Sequence, residues 1–192
     1  VTLPSEVIDG SIGHSRVVAA LAYALAGSLR LSEIDRLEIM RAGFLADIGK
    51  EVIPLYILNR RGGLLASELD IIKQHPDEAC RIMRKLGYDD AGLLRAVRHS
   101  HERYDGTGYP EGLKGDAIPI GARIIAVADA YEALTAWRVH REPWEPGAAL
   151  GELRREVEKG AFDPAIVDAL AQLVTPSAGT GPSSVPHLRL VG

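Results

Sequence analysis

The sequence predicts an all-α bundle of about seven helices. Alanine and leucine are abundant and aromatic residues make up only 5 %, a composition that favours helices. Apolar residues recur three and four positions apart in most segments, which is the spacing of one helix face. The chain has 192 residues, of which 46 % are hydrophobic and 25 % charged. These values are ordinary for a globular protein, and the length suits one domain, with or without a tail.

Residues 13–29 form the first predicted helix, because their apolar side chains follow the helical spacing. Ser32 is the expected N-cap of the second helix, with carboxylates in its first turn. The expected buried stripe of that helix consists of four large apolar residues: Ile34, Leu37, Met40 and Phe44. The helix is expected to end at Gly49. Asp47 would then lie near the negative pole of the helix dipole, where a carboxylate costs up to about 1 kcal/mol.

Residues 52–58 are interrupted by Pro54 and are predicted to form a connector or a single turn. A short helix is expected from Ser67 to about Lys73. Pro76 suits the first turn of the next helix, and Gly87 suits its end. A further helix is expected over residues 90–101, where the apolar spacing returns.

The second half of the chain begins with a loop. Residues 104–116 are rich in glycine and are predicted to be irregular. Residues 119–136 are expected to form the most buried helix, because they are nearly all apolar. Pro146 and Pro164 open the two final helices. Residues 175–192 lack a helical pattern and are predicted to be disordered.

The composition argues against several classes of protein. The net charge of −4 argues against a non-specific nucleic-acid binder, since such proteins cluster Lys and Arg. The single cysteine, Cys80, suits a reducing compartment and a place in the core. No apolar run reaches the roughly 20 residues of a membrane helix, and no signal peptide is visible. We therefore expect a cytoplasmic domain of a larger protein, with a lead-in over residues 1–10 and the domain itself over 11–174.

Several polar residues occupy unusual places in this pattern. Asp129 lies inside the apolar stretch "IIAVADAYEAL", where a carboxylate is costly unless it is paired or binds a metal. The candidate ligands on the predicted helices are three histidines and two aspartates: His14, Asp47, His75, His101 and Asp129. Facing helices of a bundle often build metal sites in this way. Nitrogen and oxygen ligands without thiolate suit iron, manganese or zinc.

Each of these residues also has an ordinary explanation. Asp129 could pair with Arg123, Asp47 with Lys50, and His75 could act as a helix cap. His99 and His140 are predicted to be surface residues.

Four motifs in order resemble the HD-GYP domains. They are "ADIGK" (46–50), "QHP" (74–76), "SHERYDGTGYPEGL" (100–113) and "VADAYEALTAWR" (127–138). The resemblance covers about residues 11–172, and its most specific part is "HERYDGTGYP" (101–110). It implies the helical fold of the HD phosphohydrolase superfamily in a bacterial signalling protein. Active members hydrolyse cyclic di-GMP with two or three metals, often iron or manganese.

The resemblance assigns metal-ligand roles to the five residues above, with Asp47 as the carboxylate that bridges two metals. It also shows ligands that this chain lacks. The histidine of the His-Asp pair is Ala46, and the first of two adjacent histidines is Ser100. Where three-metal members carry a glutamate, this chain has Gly10.

The resemblance further implies contacts with the substrate. Lys50 corresponds to a lysine that contacts phosphate, and with Asp47 it is the expected catalytic pair. Arg138 matches a phosphate-binding arginine, and Arg141 is a second candidate. Tyr109, in the "DGTGYP" loop, is a further candidate contact.

Two hypotheses about function remain open. Losing two metal ligands should weaken a dinuclear site that holds its metals about 3.5–4 Å apart. The first hypothesis is an impaired domain that binds a nucleotide such as cyclic di-GMP, or a protein, with one divalent metal or none. In the family the Gly106–Pro110 loop is implicated in contacts with diguanylate cyclase domains, and a homodimer is compatible with the sequence. The second is an active metal-dependent cyclic di-GMP phosphodiesterase; a general HD nucleotide phosphohydrolase is a weaker option because those lack the loop.

Overall fold

The computed structural model describes residues 5–60, 62–137 and 142–175, with side chains from residue 12 onward. Those ranges contain no β-strand. They hold eight α-helices of seven or more residues and one of four residues, which confirms the predicted all-α bundle. Most of the predicted tail and His140 lie outside the described residues. No described helix combines the length and the hydropathy needed to cross a bilayer.

The helices follow the predicted order with small shifts of their ends. In chain order they are α1 (Ser5–Ser28), α2 (Glu33–Leu45), α3 (Leu55–Leu58), α4 (Ala66–Ile72), α5 (His75–Lys85), α6 (Ala91–Arg98), α7 (Ile120–Thr135), α8 (Pro146–Glu158) and α9 (Pro164–Val174). Two 3-10 turns, Ile48–Val52 and Gly115–Ala117, precede α3 and α7. Helix α1 begins earlier than its apolar pattern suggests. Pro146 and Pro164 each open a helix, as predicted.

Helix α7 lies at the centre of the bundle and packs against α1, α2, α6, α8 and α9. Its side chains Ile124, Val127 and Ala128 are completely or almost completely buried. These contacts agree with the prediction that this segment forms the most buried helix. Its position matters for function because α7 carries Asp129.

Helix α2 buries a different face from the predicted one. Ile34, Leu37 and Phe44 are 77 %, 37 % and 43 % exposed, so the predicted stripe is wrong for these residues. The buried face carries Ile39 and Ala42. It also carries Gly43, where an added β-carbon would lie 3.5 Å from the α-carbon of Ala19, so α2 packs closely against α1 on this face.

The end of α2 also differs from the prediction. The helix ends at Leu45, and Asp47 precedes the 3-10 turn instead of lying in a last helical turn. Gly49 is therefore not a helix terminator. A β-carbon added to Gly49 would lie 1.9 Å from the carbonyl oxygen of His75 and 2.6 Å from the backbone nitrogen of Ala79. Glycine is needed here because the turn packs directly on the start of α5, which places Asp47 beside His75.

Replacing Gly49 by alanine is expected to lower the free energy of unfolding by about 2 kcal/mol, as in other overpacked cores. The new methyl group would meet backbone atoms of α5, which cannot rotate away. Gly13→Ala is the matched control, because a β-carbon there meets nothing within 4 Å. In a helix this control should stabilise by roughly 0.5–1 kcal/mol. Urea denaturation measures both changes, and an unchanged midpoint for Gly49→Ala would contradict the packing argument.

Candidate metal centre

Five polar residues from five parts of the chain meet in one cleft. His14 lies on α1, Asp47 after α2, His75 at the start of α5, His101 after α6 and Asp129 on α7. The His14 Nε2 atom is 3.1 Å from Asp129 Oδ1 and 3.6 Å from Asp47 Oδ2. The His75 Nε2 atom is 3.8 Å from Asp47 Oδ1 and 3.0 Å from His101 Nε2. The structure thus brings together all five predicted ligands, whose metal-binding role remains a prediction.

One subset of these residues has the spacing of a metal site. Asp47, His75 and His101 each offer a ligand atom, and the three atoms lie within 4.8 Å of one another. We call these three residues the ligand triad. Two imidazoles and one carboxylate are a common ligand set for iron and zinc, and such a set leaves coordination positions open.

The protonation of the two triad histidines fits a metal. Burial lowers the pKa of His75, and burial together with neighbouring His75 lowers the pKa of His101 to about 4. Both rings are therefore neutral at pH 7, as metal ligands must be. The His75 Nδ1 atom donates to the carbonyl oxygen of Ile72 at 2.8 Å, which leaves the Nε2 lone pair facing the triad. Such an outer hydrogen bond is usual for metal-binding histidines.

His14 belongs to a separate set of contacts. Its Nδ1 atom lies 2.5 Å from Glu132 Oε2, and its Nε2 atom faces Asp129. The hydrogen bond with Asp129 raises the pKa of His14 to about 9; burial opposes this rise and Glu132 adds to it. Burial alone would raise the pKa of Asp129, but His14 lowers it below its usual value. His14 is therefore an imidazolium between two carboxylates in this arrangement, and it would have to lose a proton to bind a metal.

Ala46 and Ser100, the positions where the family resemblance expects histidines, line the same small cavity as His14 and Asp129. Ala46 is buried there and has only a methyl group. The Ser100 hydroxyl donates to the carbonyl oxygen of Val97 at 2.9 Å, so it already has a backbone partner. The cavity has room for about one water molecule. Ala46 offers no ligand atom to the cleft, and the neutral hydroxyl of Ser100 is a poor substitute for imidazole.

His99 does not replace the missing histidine. Its Nδ1 atom donates to the carbonyl oxygen of Arg95, and its Nε2 atom lies 3.4 Å from Glu111 Oε2. The ring is 5 % exposed, so its predicted surface position is wrong. Glu111, in the loop that follows, is one of the residues packed beside it.

Two cations that the sequence suggested as partners for Asp47 and Asp129 have defined contacts. Lys50 Nζ lies 2.6 Å from Asp47 Oδ2, which is the predicted pair three residues apart. Arg123 does not pair with Asp129; its Nη1 atom contacts Asp116 at 2.7 Å and Asp163 at 2.8 Å. Asp129 therefore remains directed at His14. Arg138 and Arg141 lie outside the described residues.

The glycine-rich loop holds an aromatic ring against the triad. The ring of Tyr109 stacks on His101 with centroids 5.2 Å apart and planes 4° apart, and it meets His75 edge-on at 6.4 Å. A β-carbon on Gly108 would lie 2.2 Å from the backbone nitrogen of Arg103, so glycine is required where the loop crosses the chain. Burial raises the pKa of Tyr109 to about 12, and its hydroxyl stays protonated.

Two buried carboxylates have roles that the sequence did not predict. Glu102 is 4 % exposed and accepts the backbone N–H groups of Glu111 and Leu113, at 2.8 Å and 3.1 Å. It thereby ties the loop to the end of α6. Glu132 is 6 % exposed and orients His14. The sequence could have identified Glu132, because it follows Asp129 by three residues and therefore lies on the same face of the helix.

Replacing Tyr109 by leucine is expected to weaken metal binding about tenfold, the lower end for residues that orient ligands. Leucine removes the flat surface that holds His101. Tyr109→Phe is the matched control and should bind metal like the parent, because the ring and not the hydroxyl contacts the histidines. Competition with a chromophoric chelator measures both affinities. Equal affinities for the leucine variant and the parent would rule out this positioning role.

The sequence of this chain is similar to a known domain family and to several known proteins. A family model described as HD domain matches residues 5–166. The chain is 41 % identical over 160 residues, 78 % of its length, to the cyclic di-GMP phosphodiesterase response regulator RpfG of Xanthomonas campestris pv. campestris. It is 38 % identical over 162 residues, 84 % of its length, to the cyclic di-GMP phosphodiesterase PA4108 of Pseudomonas aeruginosa. A 3′3′-cGAMP-specific phosphodiesterase of Vibrio cholerae is 34 % identical over 174 residues, 88 % of this chain. The match spans only 38–40 % of these three relatives.

Solved structures show the same fold. Bd1817, an HDG"Y"P protein from Bdellovibrio bacteriovorus, matches with a TM-score of 0.68 and 21 % identity, over 85 % of this chain and 52 % of that one. The HD domain of the Listeria monocytogenes phosphodiesterase PgpH matches with a TM-score of 0.60 and 18 % identity, over 85 % of this chain and 88 % of that one.

Proposed function

Since the chain belongs to the HD domain family, in its HD-GYP group, we propose that it is a signalling domain that binds a cyclic dinucleotide and hydrolyses it poorly. One observation carries the proposal. The cleft retains one ligand set, Asp47, His75 and His101, whose donor atoms lie together. The positions that would complete a second set are the methyl group of Ala46 and the neutral hydroxyl of Ser100, which donates to the carbonyl oxygen of Val97 and is a poor substitute for imidazole.

The ligand triad would hold one divalent metal. Its two neutral imidazoles and its carboxylate suit iron, manganese or zinc without distinguishing among them. Such a metal would act as a Lewis acid on a phosphoryl oxygen of the nucleotide. The chain's own contribution is to orient the ligands, through the Ile72 carbonyl behind His75 and the Tyr109 ring against His101.

The second half of the cleft is poorly suited to a metal. His14 and Asp129 face each other, and Glu132 holds the other nitrogen of His14. A cation between His14 and Asp129 would have to displace a proton and would gain no donor from Ala46. Changes around metal ligands typically cost 10–100-fold in affinity or activity, and loss of a ligand should cost more. This supports weak hydrolysis.

Binding of a nucleotide needs only the remaining polar groups. Lys50 lies beside Asp47 at the cleft, which supports its proposed contact with a phosphate there. Tyr109, Arg138 and Arg141 stay proposed contacts from the family pattern. We place the protein in the bacterial cytoplasm, where cyclic dinucleotides act. Docking of a diguanylate cyclase domain on Gly106–Pro110 is a weaker proposal, because within that loop Thr107 alone is exposed.

An active phosphodiesterase is the second candidate. The curated relatives above carry that activity in their names, and a triad with open positions is also the form of mononuclear catalytic zinc sites. Under this alternative one metal would suffice, and the losses at Ala46 and Ser100 would change the rate or substrate preference without abolishing turnover.

One set of measurements distinguishes the two candidate functions. The protein is purified without chelators and studied by elemental analysis, calorimetry and product chromatography. We expect at most one metal per chain, saturable binding of cyclic di-GMP, and turnover well below the roughly 1 s⁻¹ typical of enzymes. Turnover at or above that rate would favour the phosphodiesterase. Absence of both binding and turnover would rule out a nucleotide function and leave a protein-interaction module.

A further inference from the structure

We infer that Lys73 is an additional anchor for the nucleotide, binding the phosphodiester that is not at the ligand triad. This deepens the proposed function and rests on it. Neither the family pattern of the sequence nor the spacing of polar residues pointed to Lys73.

Lys73 is held close to the cleft by its place in the chain. It caps the C-terminus of α4, where its backbone N–H donates to the carbonyl oxygen of Leu69. Only Gln74 separates it from His75, which is almost completely buried in the triad. The position of Lys73 is therefore tied to that of the triad.

The ammonium group of Lys73 lies 6.0 Å from the centroid of the Tyr109 ring. Tyr109 in turn stacks on His101. A cation at this distance from an aromatic face is weakly attracted by the ring and is partly shielded from water. The charge is thus located at the rim of the cleft, next to the loop that supports the ligands.

The positive charge of Lys73 is also not paired with a negative charge in the described part of the chain. Within the described residues no carboxylate lies within 4.0 Å of its ammonium group, whereas Lys50 is bound to Asp47. A cyclic dinucleotide carries two phosphodiesters and therefore two negative charges. A phosphate at the triad would be balanced by a metal and Lys50. The other phosphate needs a cation elsewhere at the rim, and Lys73 supplies one.

The test compares three variants by calorimetry with cyclic di-GMP. Lys73→Gln removes the charge at similar length, and Lys73→Arg keeps it. Lys85→Gln is the matched control: it removes one charge at the far end of α5, about 15 Å along the helix axis from His75. We expect roughly tenfold weaker binding for Lys73→Gln, the scale of one charge-assisted hydrogen bond. Lys73→Arg and Lys85→Gln should bind within threefold of the parent.

A phosphate contact also predicts the nucleotide and salt dependence. Lys73→Gln should weaken the binding of 3′3′-cGAMP by the same factor as the binding of cyclic di-GMP. The affinity of this variant for both nucleotides should depend less steeply on salt concentration than that of the parent. Equal affinity of Lys73→Gln and parent would overturn the inference while leaving the proposed function intact. A loss confined to the nucleotide with two guanines would overturn it too, because Lys73 would then contact a base. A parent protein that binds neither nucleotide would instead defeat the proposed function, and the inference with it.

Discussion

Replacing Ala46 and Ser100 together by histidine is expected to raise the metal content from at most one to two ions per chain. Turnover of cyclic di-GMP should rise on the order of a hundredfold or more, because two ligands would be restored. Both positions line one cavity with His14 and Asp129, so the new imidazoles would face the existing donors. Each single replacement should do little, since it leaves one metal incompletely held. The double change should therefore exceed the sum of the single ones.

Space is the main obstacle to this repair. The cavity is small, and adding bulk to a packed site typically costs about 1–3 kcal/mol. Ala46→Gln with Ser100→Gln adds comparable volume with weaker ligands and is the matched control. Elemental analysis and product chromatography on parent, singles, double and control measure the effect, and thermal unfolding verifies folding. A folded double variant that binds no additional metal would show that the cleft no longer has the family geometry.

Replacing Asp47 by asparagine is expected to weaken metal binding a hundredfold or more, the largest loss from any single change to the cleft. Asp47 is the sole carboxylate of the ligand triad, and the amide that replaces it carries no charge. It also faces His14, so it is the residue common to both halves of the cleft. Lys50 would lose its partner at 2.6 Å, which adds an unbalanced positive charge beside the metal.

Asp129→Asn is the control for this prediction. It removes the same charge from the half of the cleft that contains His14, and it should weaken binding by much less if one metal sits at the triad. Chelator competition with manganese and with zinc measures both affinities, and circular dichroism establishes that each variant is helical. Equal losses for the two variants would place the metal between both halves and contradict a site built from the triad.

Much of the candidate site could be predicted because local chemistry decides it. The helix order follows from apolar spacing, and Pro76, Pro146 and Pro164 lie at helix starts as their missing N–H requires. The absence of the two histidines that the family resemblance expects at Ala46 and Ser100 is likewise visible in the residues themselves, since a methyl group cannot bind a metal in any fold. Asp129, an aspartate in an apolar helix, indicated a polar cleft before any geometry was known.

Other features of the structure depend on which helix and loop surfaces pack against each other. Spacing identifies residues that share a helix face, but it does not say which face a neighbouring helix covers; in α2 that proved to be the face of Ile39 and Ala42. The need for glycine at position 49 arises from the backbone of α5, a distant segment in the chain. His99 is buried, with Glu111 of a later loop beside its ring, which its own spacing did not indicate.

The sequence by itself therefore determined the helical fold class. Through the family resemblance it also predicted the polar residues of one site and the two histidines that this chain lacks. Only the tertiary structure decided how the remaining donors divide. Asp47, His75 and His101 form one group, while His14 lies between Asp129 and Glu132. The reason is that ligand grouping depends on distances of a few ångströms between helices. The close contact of Gly49 with the start of α5, which brings Asp47 beside His75, is one such feature that no local pattern encodes.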